Sequence, residues 1–176
     1  RPPISTLFPS TTLFRSKLLN IVDADLAFFG EKDYQQLKVI EHVVADLDFP
    51  TGVIGLPIVR DGDGLALSSR NRYLSTDERR TARAIPEALE AANRALAWGT
   101  RSAAEIQEAM TEVFTAAGPG IELDYAAVVD PETLEPLDRV DGPARALIAA
   151  RLGATRLIDN CPLVPVASEH ATGGQN

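Results

Sequence analysis

The chain has 176 residues, 45% of them apolar, with 17 Lys and Arg against 25 Asp and Glu for a net charge of −8. That is enough apolar material to bury a core in one or two domains, and the acidic balance excludes nucleic acid and anionic membrane surfaces as bulk partners. No apolar run is long enough to span a bilayer and the opening residues lack the pattern of a signal peptide, so a cytoplasmic protein is expected, while one cysteine and two histidines leave neither an intrachain disulfide nor a zinc cluster.

Residues 1–16 hold three prolines and a near-repeat, Ser5-Thr6-Leu7-Phe8 and Thr11-Thr12-Leu13-Phe14. They show neither helical nor strand periodicity and read as translated adapter sequence, with no packed element expected. From Asp25 the pattern sharpens. Asp25-Leu26-Ala27-Phe28-Phe29 suits a short strand buried on both faces. Leu37, Ile40, Val44 and Leu47 then recur at helical spacing, which predicts a helix from about Asp33 with one stripe on a sheet. Gly30 stands at that junction, at the carboxyl end of a strand, where open α/β sheets bind ligands and helix N–H groups meet anions. Two readings are open: Gly30 as a turn glycine with Asp33 a helix cap and Lys32 a solvated charge, or Gly30 as a close approach to a ligand with Lys32 as its cation. His42 falls on the polar side of this helix.

Val53-Ile54-Gly55-Leu56-Pro57-Ile58-Val59 predicts a second strand, parallel to the first because a helix joins them, so that Gly30 and Arg60 meet at one sheet edge. Residues 57–74 combine a strand end, a glycine-rich loop expected to be mobile, the hydroxyls of Ser68 and Ser69, and Arg70 and Arg72. Hydroxyls and arginine forks match phosphate oxygens, so this loop can close over a triphosphate. The Gly-Lys-Ser/Thr phosphate loop of the nucleotide kinases is absent from the sequence.

Ser75-Thr76-Asp77-Glu78 is a capping box opening a helix to about Ala97 that Pro86 kinks or splits. Ala88, Ala91, Ala92 and Ala95 make a core stripe along it. A second box, Ser102 with Glu105, opens a helix stopped by Gly118-Pro119-Gly120. Three strands follow, over 121–129, 145–152 and 155–160, the last two joined at Gly153-Ala154. Helices followed by a small, largely antiparallel sheet make a second α+β unit, with the boundary near 71–75. Cys161 reads as a small buried apolar residue at a strand end. The tail 166–176, which includes His170, is expected to be disordered.

The segments Phe29-Gly30-Glu31-Lys32-Asp33-Tyr34-Gln35-Gln36-Leu37 and Asp63-Gly64-Leu65-Ala66-Leu67-Ser68-Ser69-Arg70-Asn71-Arg72-Tyr73-Leu74 together resemble the pantothenate synthetase family, the pantoate–beta-alanine ligases. Leu67 stands where that family usually has methionine, a swap that keeps volume and apolar character. The resemblance runs from about Lys17 to about Asn160. It implies an α/β fold, with a partial Rossmann-like nucleotidyltransferase domain over 17–72 and a smaller α+β lid domain over 73–165. It also implies a reaction in two steps: pantoate carboxylate attacks the α-phosphorus of ATP, and the amine of β-alanine then displaces AMP from pantoyl adenylate.

By the same resemblance Lys32, Ser68, Ser69 and Arg70 contact the ATP phosphates and carry catalysis, Gly30, Asp33, Val59 and Leu67 hold the adenosine part, and Gln36 binds pantoate. Gln36 lies one helical turn beyond Asp33 on the same face. ATP with Mg2+, pantoate and β-alanine are the implied small molecules, with a homodimer as the implied assembly and no metal held by these residues themselves. The family's His-x-Gly-His signature has no counterpart in the sequence, so about half a site is expected, and an inactive fragment. Two rivals stand beside this reading: another ATP-using nucleotidyltransferase or ligase of the same superfamily, and a non-catalytic dimerisation or lid module.

Overall fold

A computed structural model describes residues 9–165, with side chains from Phe14 onward. The expectations for residues 1–8 and for the tail 166–176 lie outside the described residues.

The first helix, α1 (Pro9–Val22), starts within the stretch where no element was expected. Proline suits a first helical position, since no backbone partner is lost there, and Phe14, Leu18, Ile21 and Val22 do recur at helical spacing. The stripe was obscured by the prolines ahead of it, and all four side chains are exposed.

Strand β1 (Leu26–Gly30) pairs in parallel with β2 (Gly52–Leu56), Phe28 lying opposite Ile54. The second strand ends at Leu56 and not at Val59, because Pro57 has no N–H to give to a ladder. Helix α2 (Tyr34–Asp46) joins the two strands after a 3-10 turn over Glu31–Asp33. It buries Leu37 and Ile40, while Leu47, just past its end, is exposed. The expectation of strands buried on both faces is corrected. Ala27, Phe29 and Val53 are half-buried, whereas Leu26, Phe28, Ile54 and Leu56 on the other face are open among the described residues.

The rest of the chain builds a second sheet with helices. The predicted split occurs: α3 (Thr76–Ala82) gives way to α4 (Ala84–Ala97), with Pro86 in the first turn of α4 where its missing N–H costs nothing. Both halves of the capping box at Ser75 and Glu78 are formed. Ser75→Ala is therefore expected to cost about 1 kcal/mol in a urea titration; no change would mean the cap is idle. Helix α5 (Ala103–Ala117) is capped by Ser102 and ends at Gly118, whose φ of +81° favours glycine.

Strands β3 (Glu122–Val129), β4 (Ala144–Leu152) and β5 (Thr155–Leu163) form an antiparallel sheet in that order. One face of this sheet packs Ala146, Ile148 and Ala150 against Ile85, Ala88, Ala92, Ile106 and Met110 of α4 and α5. The small Ala88 and Ala92, both at 0% exposure, let α4 approach closely, as the stripe implied. The opposite face packs Ala127, Val129 and Leu147 against Tyr34 and Leu37 of α2. Strand β4 is thus covered on both faces, which accounts for its apolar run. Residues 130–143, to which no element was assigned, are fixed by the Asp130 carboxylate accepting from the Glu132 and Thr133 N–H groups and by buried Leu134 and Val140.

Candidate functional site

The turn between β1 and α2 carries the first motif. Gly30 has φ −70° and ψ 131°, angles any residue adopts, and a Cβ there would meet nothing within 4 Å. A tight turn therefore does not require the glycine, and open space lies in front of it. Asp33 is exposed and makes no side-chain cap bond. Lys32 is half-buried, and among the described residues its ammonium has no ion-pair or hydrogen-bond partner. The cap reading of Asp33 fails and the Lys32 ammonium is left free to act.

What holds this turn comes from the second unit. Asn160 donates both amide hydrogens, one to the Glu31 carbonyl and one to the Lys32 carbonyl, each at 2.9 Å. Its Oδ1 accepts from Arg145 Nε at 2.8 Å and Nη2 at 2.6 Å, and the same Nη2 reaches Glu31 Oε2 at 2.9 Å. The Arg145 guanidinium lies 3.9 Å from the centre of the Tyr34 ring, a stacked cation–π contact. Tyr34 in turn donates its hydroxyl to Pro131 O at 3.0 Å. Lys38 closes the contact from its other side through Glu132 at 2.8 Å and Glu41 at 2.9 Å. Burial works against the Lys38 charge, but those two carboxylates outweigh it and hold its pKa above the ordinary value.

The second motif is a hairpin and not the open mobile loop expected from its glycines. Leu67 N–H donates to Val59 O at 2.8 Å, Asp61 N–H to Leu65 O at 2.8 Å, and Gly64, with φ +87°, closes the turn by donating to Asp61 O at 2.9 Å. Arg79 of α3 clamps the tip, 2.7 Å from Asp61 and 2.6 Å from Asp63. Buried Leu65 anchors it in the core of α4 and α5. This geometry sets Val59 and Leu67 side by side, both well exposed at 65% and 55%. After the hairpin, Ser68 Oγ accepts from the Arg70 N–H at 3.2 Å and caps a 3-10 turn over Ser69–Tyr73. Ser69 and Arg70 point into solvent, and the Arg70 guanidinium has no bonded partner among the described residues.

A cleft of about 150 Å³ between α2 and the β3–β5 sheet is lined by Lys32, Asp33, Gln35, Gln36, Tyr125, Asp159 and Asn160. A smaller recess joins it to the second motif, lined by Lys32, Ala66, Asn71 and Asp159. Lys32 thus belongs to both, and the two motifs that are distant in sequence meet around it. Gln35 and Gln36 both reach the cleft, so geometry alone does not choose between them. Among the described residues no group of three or more His, Cys, Asp or Glu side chains could hold a metal ion. The arrangement offers two free cations, backbone open at Gly30 and hydroxyls at a turn, a set suited to a polyanion with an apolar ring laid on Val59 and Leu67.

Sequence reasoning missed Tyr34, Arg145, Asp159 and Asn160. A signal existed for the last three, since charged or amide side chains inside otherwise apolar strands are buried only with partners. Cys161 is half-buried and accepts from Asn93 Nδ2 at 3.1 Å. Burial pushes its thiol up to about 11. Iodoacetamide is therefore expected to alkylate it in the folded chain with a midpoint near pH 11, against about 8.5 for a free thiol. Because the unfolded thiol loses its proton first, this group's contribution to stability is complete below about pH 8.5 and falls as pH rises toward 11. A reaction midpoint near that of a free thiol would contradict the burial.

A family model described as Pantoate-beta-alanine ligase matches residues 6–162, beginning inside the stretch that was expected to be foreign to the rest. A pantothenate synthetase from Rhizorhabdus wittichii is 53% identical over 150 residues, covering 85% of this chain and 52% of the relative. One from Rubrobacter xylanophilus is 56% identical over 147 residues, covering 83% and 50%. Among solved structures, a pantothenate synthetase of Thermus thermophilus superposes with a TM-score of 0.86 at 41% identity, covering 94% of this chain and 62% of that one. A pantoate-beta-alanine ligase of Francisella tularensis complexed with beta-gamma ATP and beta-alanine superposes with a TM-score of 0.61 at 26% identity, covering 92% and 56%. The chain spans about half the length of the curated relatives it matches.

Proposed function

The chain belongs to the pantoate-beta-alanine ligase family, and from that premise we propose that it contributes to the ATP-dependent condensation of pantoate with β-alanine through a pantoyl-adenylate intermediate. The single observation that carries this reading is that Lys32, partner-free among the described residues, shares a recess with Ala66 and Asn71 of the second motif and stands beside open backbone at Gly30. Lys32, Ser69 and Arg70 neutralise the triphosphate as negative charge shifts onto the leaving pyrophosphate, which is electrostatic catalysis by groups already in place. Ser68 supplies the cap that holds Arg70 and, by rotation of its hydroxyl, a further phosphate donor. The adenosine lies over Val59 and Leu67 with Gly30 and Asp33 at its edge, and Gln36 takes the pantoate.

Magnesium enters with the nucleotide as its counter-ion, held mainly by phosphate oxygens, the usual arrangement for this cation. The unit over 73–165 acts as the lid, with the contacts of Arg145 and Glu132 to the α2 region fastening it. A homodimer in the cytoplasm completes the proposal. Among the described residues no helix is long and apolar enough to cross a membrane.

The test is the chain fused to the part of the Rhizorhabdus wittichii relative that lies outside the match, assayed for AMP release. Release that needs both pantoate and β-alanine is the expected result. Release with other acids or amines in their place would point to a different nucleotidyltransferase, and none at all to a non-catalytic module. The 176-residue chain alone is expected to give no turnover and only weak ATP binding by calorimetry.

A further inference from the structure

Strand β5 carries two consecutive polar residues, Asp159 and Asn160, that are 3% and 2% exposed. Neighbours on a strand point to opposite faces of the sheet. Asp159 pairs across the sheet with Ile148, on the face packed by α4 and α5, and Asn160 pairs with Leu147, on the face packed by α2. A carboxylate and an amide buried at these positions cost free energy unless bonded. Both are fully engaged, and their partners are the two site motifs. Asp159 takes a two-pronged bond from Arg60, 2.7 Å and 3.1 Å, at the root of the hairpin that leads to Ser68, and Arg60 also donates to Gly64 O at 2.9 Å. Asn160 holds the carbonyls of Glu31 and Lys32, and Arg145 on its Oδ1 fixes which way the amide faces.

We propose that Asp159 and Asn160 are positioning residues that tie the Lys32 turn and the Arg60–Ser68 hairpin to one rigid strand and so set the spacing of the two phosphate-binding motifs. The dipeptide commits its side-chain polar atoms to these ties. It acts as a gauge: each side chain registers one motif, and the strand backbone between them has almost no freedom to let the two drift apart. The gauge's purpose rests on the nucleotide reading above, whereas the bracing itself does not.

The test uses the whole chain with amide hydrogen exchange followed by residue. Asn160→Asp keeps the shape but replaces the two donors by an oxygen facing two carbonyls. It is expected to speed exchange over 31–36 about tenfold or more, the effect of two lost buried bonds on a local opening, and to leave 59–70 within about twofold. Asp159→Asn is expected to do the reverse. Should that variant not fold, Arg60→Gln releases the same tie from its more exposed side, 34% against 1%. The nucleotide arm adds ATP with magnesium and follows the amides of Lys32 and Arg70 by NMR. In the unsubstituted chain both shift along one binding curve, and in each variant the apparent affinity falls about tenfold at a temperature where the variant is still folded. Acceleration spread evenly over the chain, or none, would overturn the proposal. Shifts absent from the unsubstituted chain, with the segment-selective exchange intact, would instead remove the nucleotide reading and leave the bracing standing.

Discussion

In the fusion completed by the Rhizorhabdus wittichii relative, Lys32→Ala and Arg70→Ala are each expected to slow adenylate formation about a hundredfold to a thousandfold, the range for losing one preorganised charge-stabilising donor. Neither side chain makes a hydrogen bond or ion pair within the described chain, so its removal breaks none. The whole loss therefore falls on the nucleotide. Because charge on the phosphates grows toward the transition state, the deficit belongs mainly in the chemical step and less in ATP binding. Single-turnover formation of pantoyl adenylate separates the two. A variant that forms adenylate at the unsubstituted rate would show that its side chain does not meet the phosphates.

The second large effect is on stability. Ile148 has 0% exposure in the middle of β4, between Ala126 of β3 and Asp159 of β5, and faces the α4–α5 core. Ile148→Ala is expected to cost about 2–5 kcal/mol, the transfer of the lost methyl groups plus the cavity left behind. That is a large share of the roughly 5–15 kcal/mol by which domains are stable. Phe28→Ala removes a larger side chain that is 57% exposed, and is expected to change stability by less than about 0.5 kcal/mol. Urea titrations of both variants check the contrast, with slopes unchanged. Equal losses would mean that the parallel pair is packed as tightly as the antiparallel sheet.

Much of the fold could be read from local signals because those signals are satisfied locally. The capping box at Ser75, the glycine stop at Gly118, the hairpin at Gly153 and the parallel pairing of β1 with β2 each depend on residues near one another in sequence. The parts that escaped depend on distant partners. The hairpin over 57–67 looks open from its glycines, and only Arg79 and Asp159 reveal it as braced. Residues 130–143 have no period to read, yet Glu132 and Pro131 dock on α2. Helix α1 was hidden by neighbouring prolines. The strands of the first sheet look buried on both faces by composition, while covering a face requires another layer, which a strand's own sequence does not encode. Lys32, Ser68, Ser69 and Arg70 are proposed for the site from the types of side chain that meet phosphate. Asp159 and Asn160 signal only burial with partners, because which partners they bind is set by what they touch across the fold.

The proposed placement of the triphosphate against Lys32 is open to direct measurement, because the chain has few lysines. There are three lysines, Lys17, Lys32 and Lys38. Lys38 is buried in its bonds to Glu41 and Glu132, and Lys17 lies exposed on α1 and lines neither the cleft nor the recess at Lys32. An acyl-phosphate derivative of ATP transfers its acyl group to a lysine amine held at the terminal phosphate and releases ATP. Mass spectrometry of the labelled chain is expected to find the acyl group on Lys32, with free ATP in excess suppressing the label there and not on Lys17. Labelling of Lys32 no greater than that of Lys17, or labelling that free ATP leaves unchanged, would contradict the placement of the triphosphate at this turn.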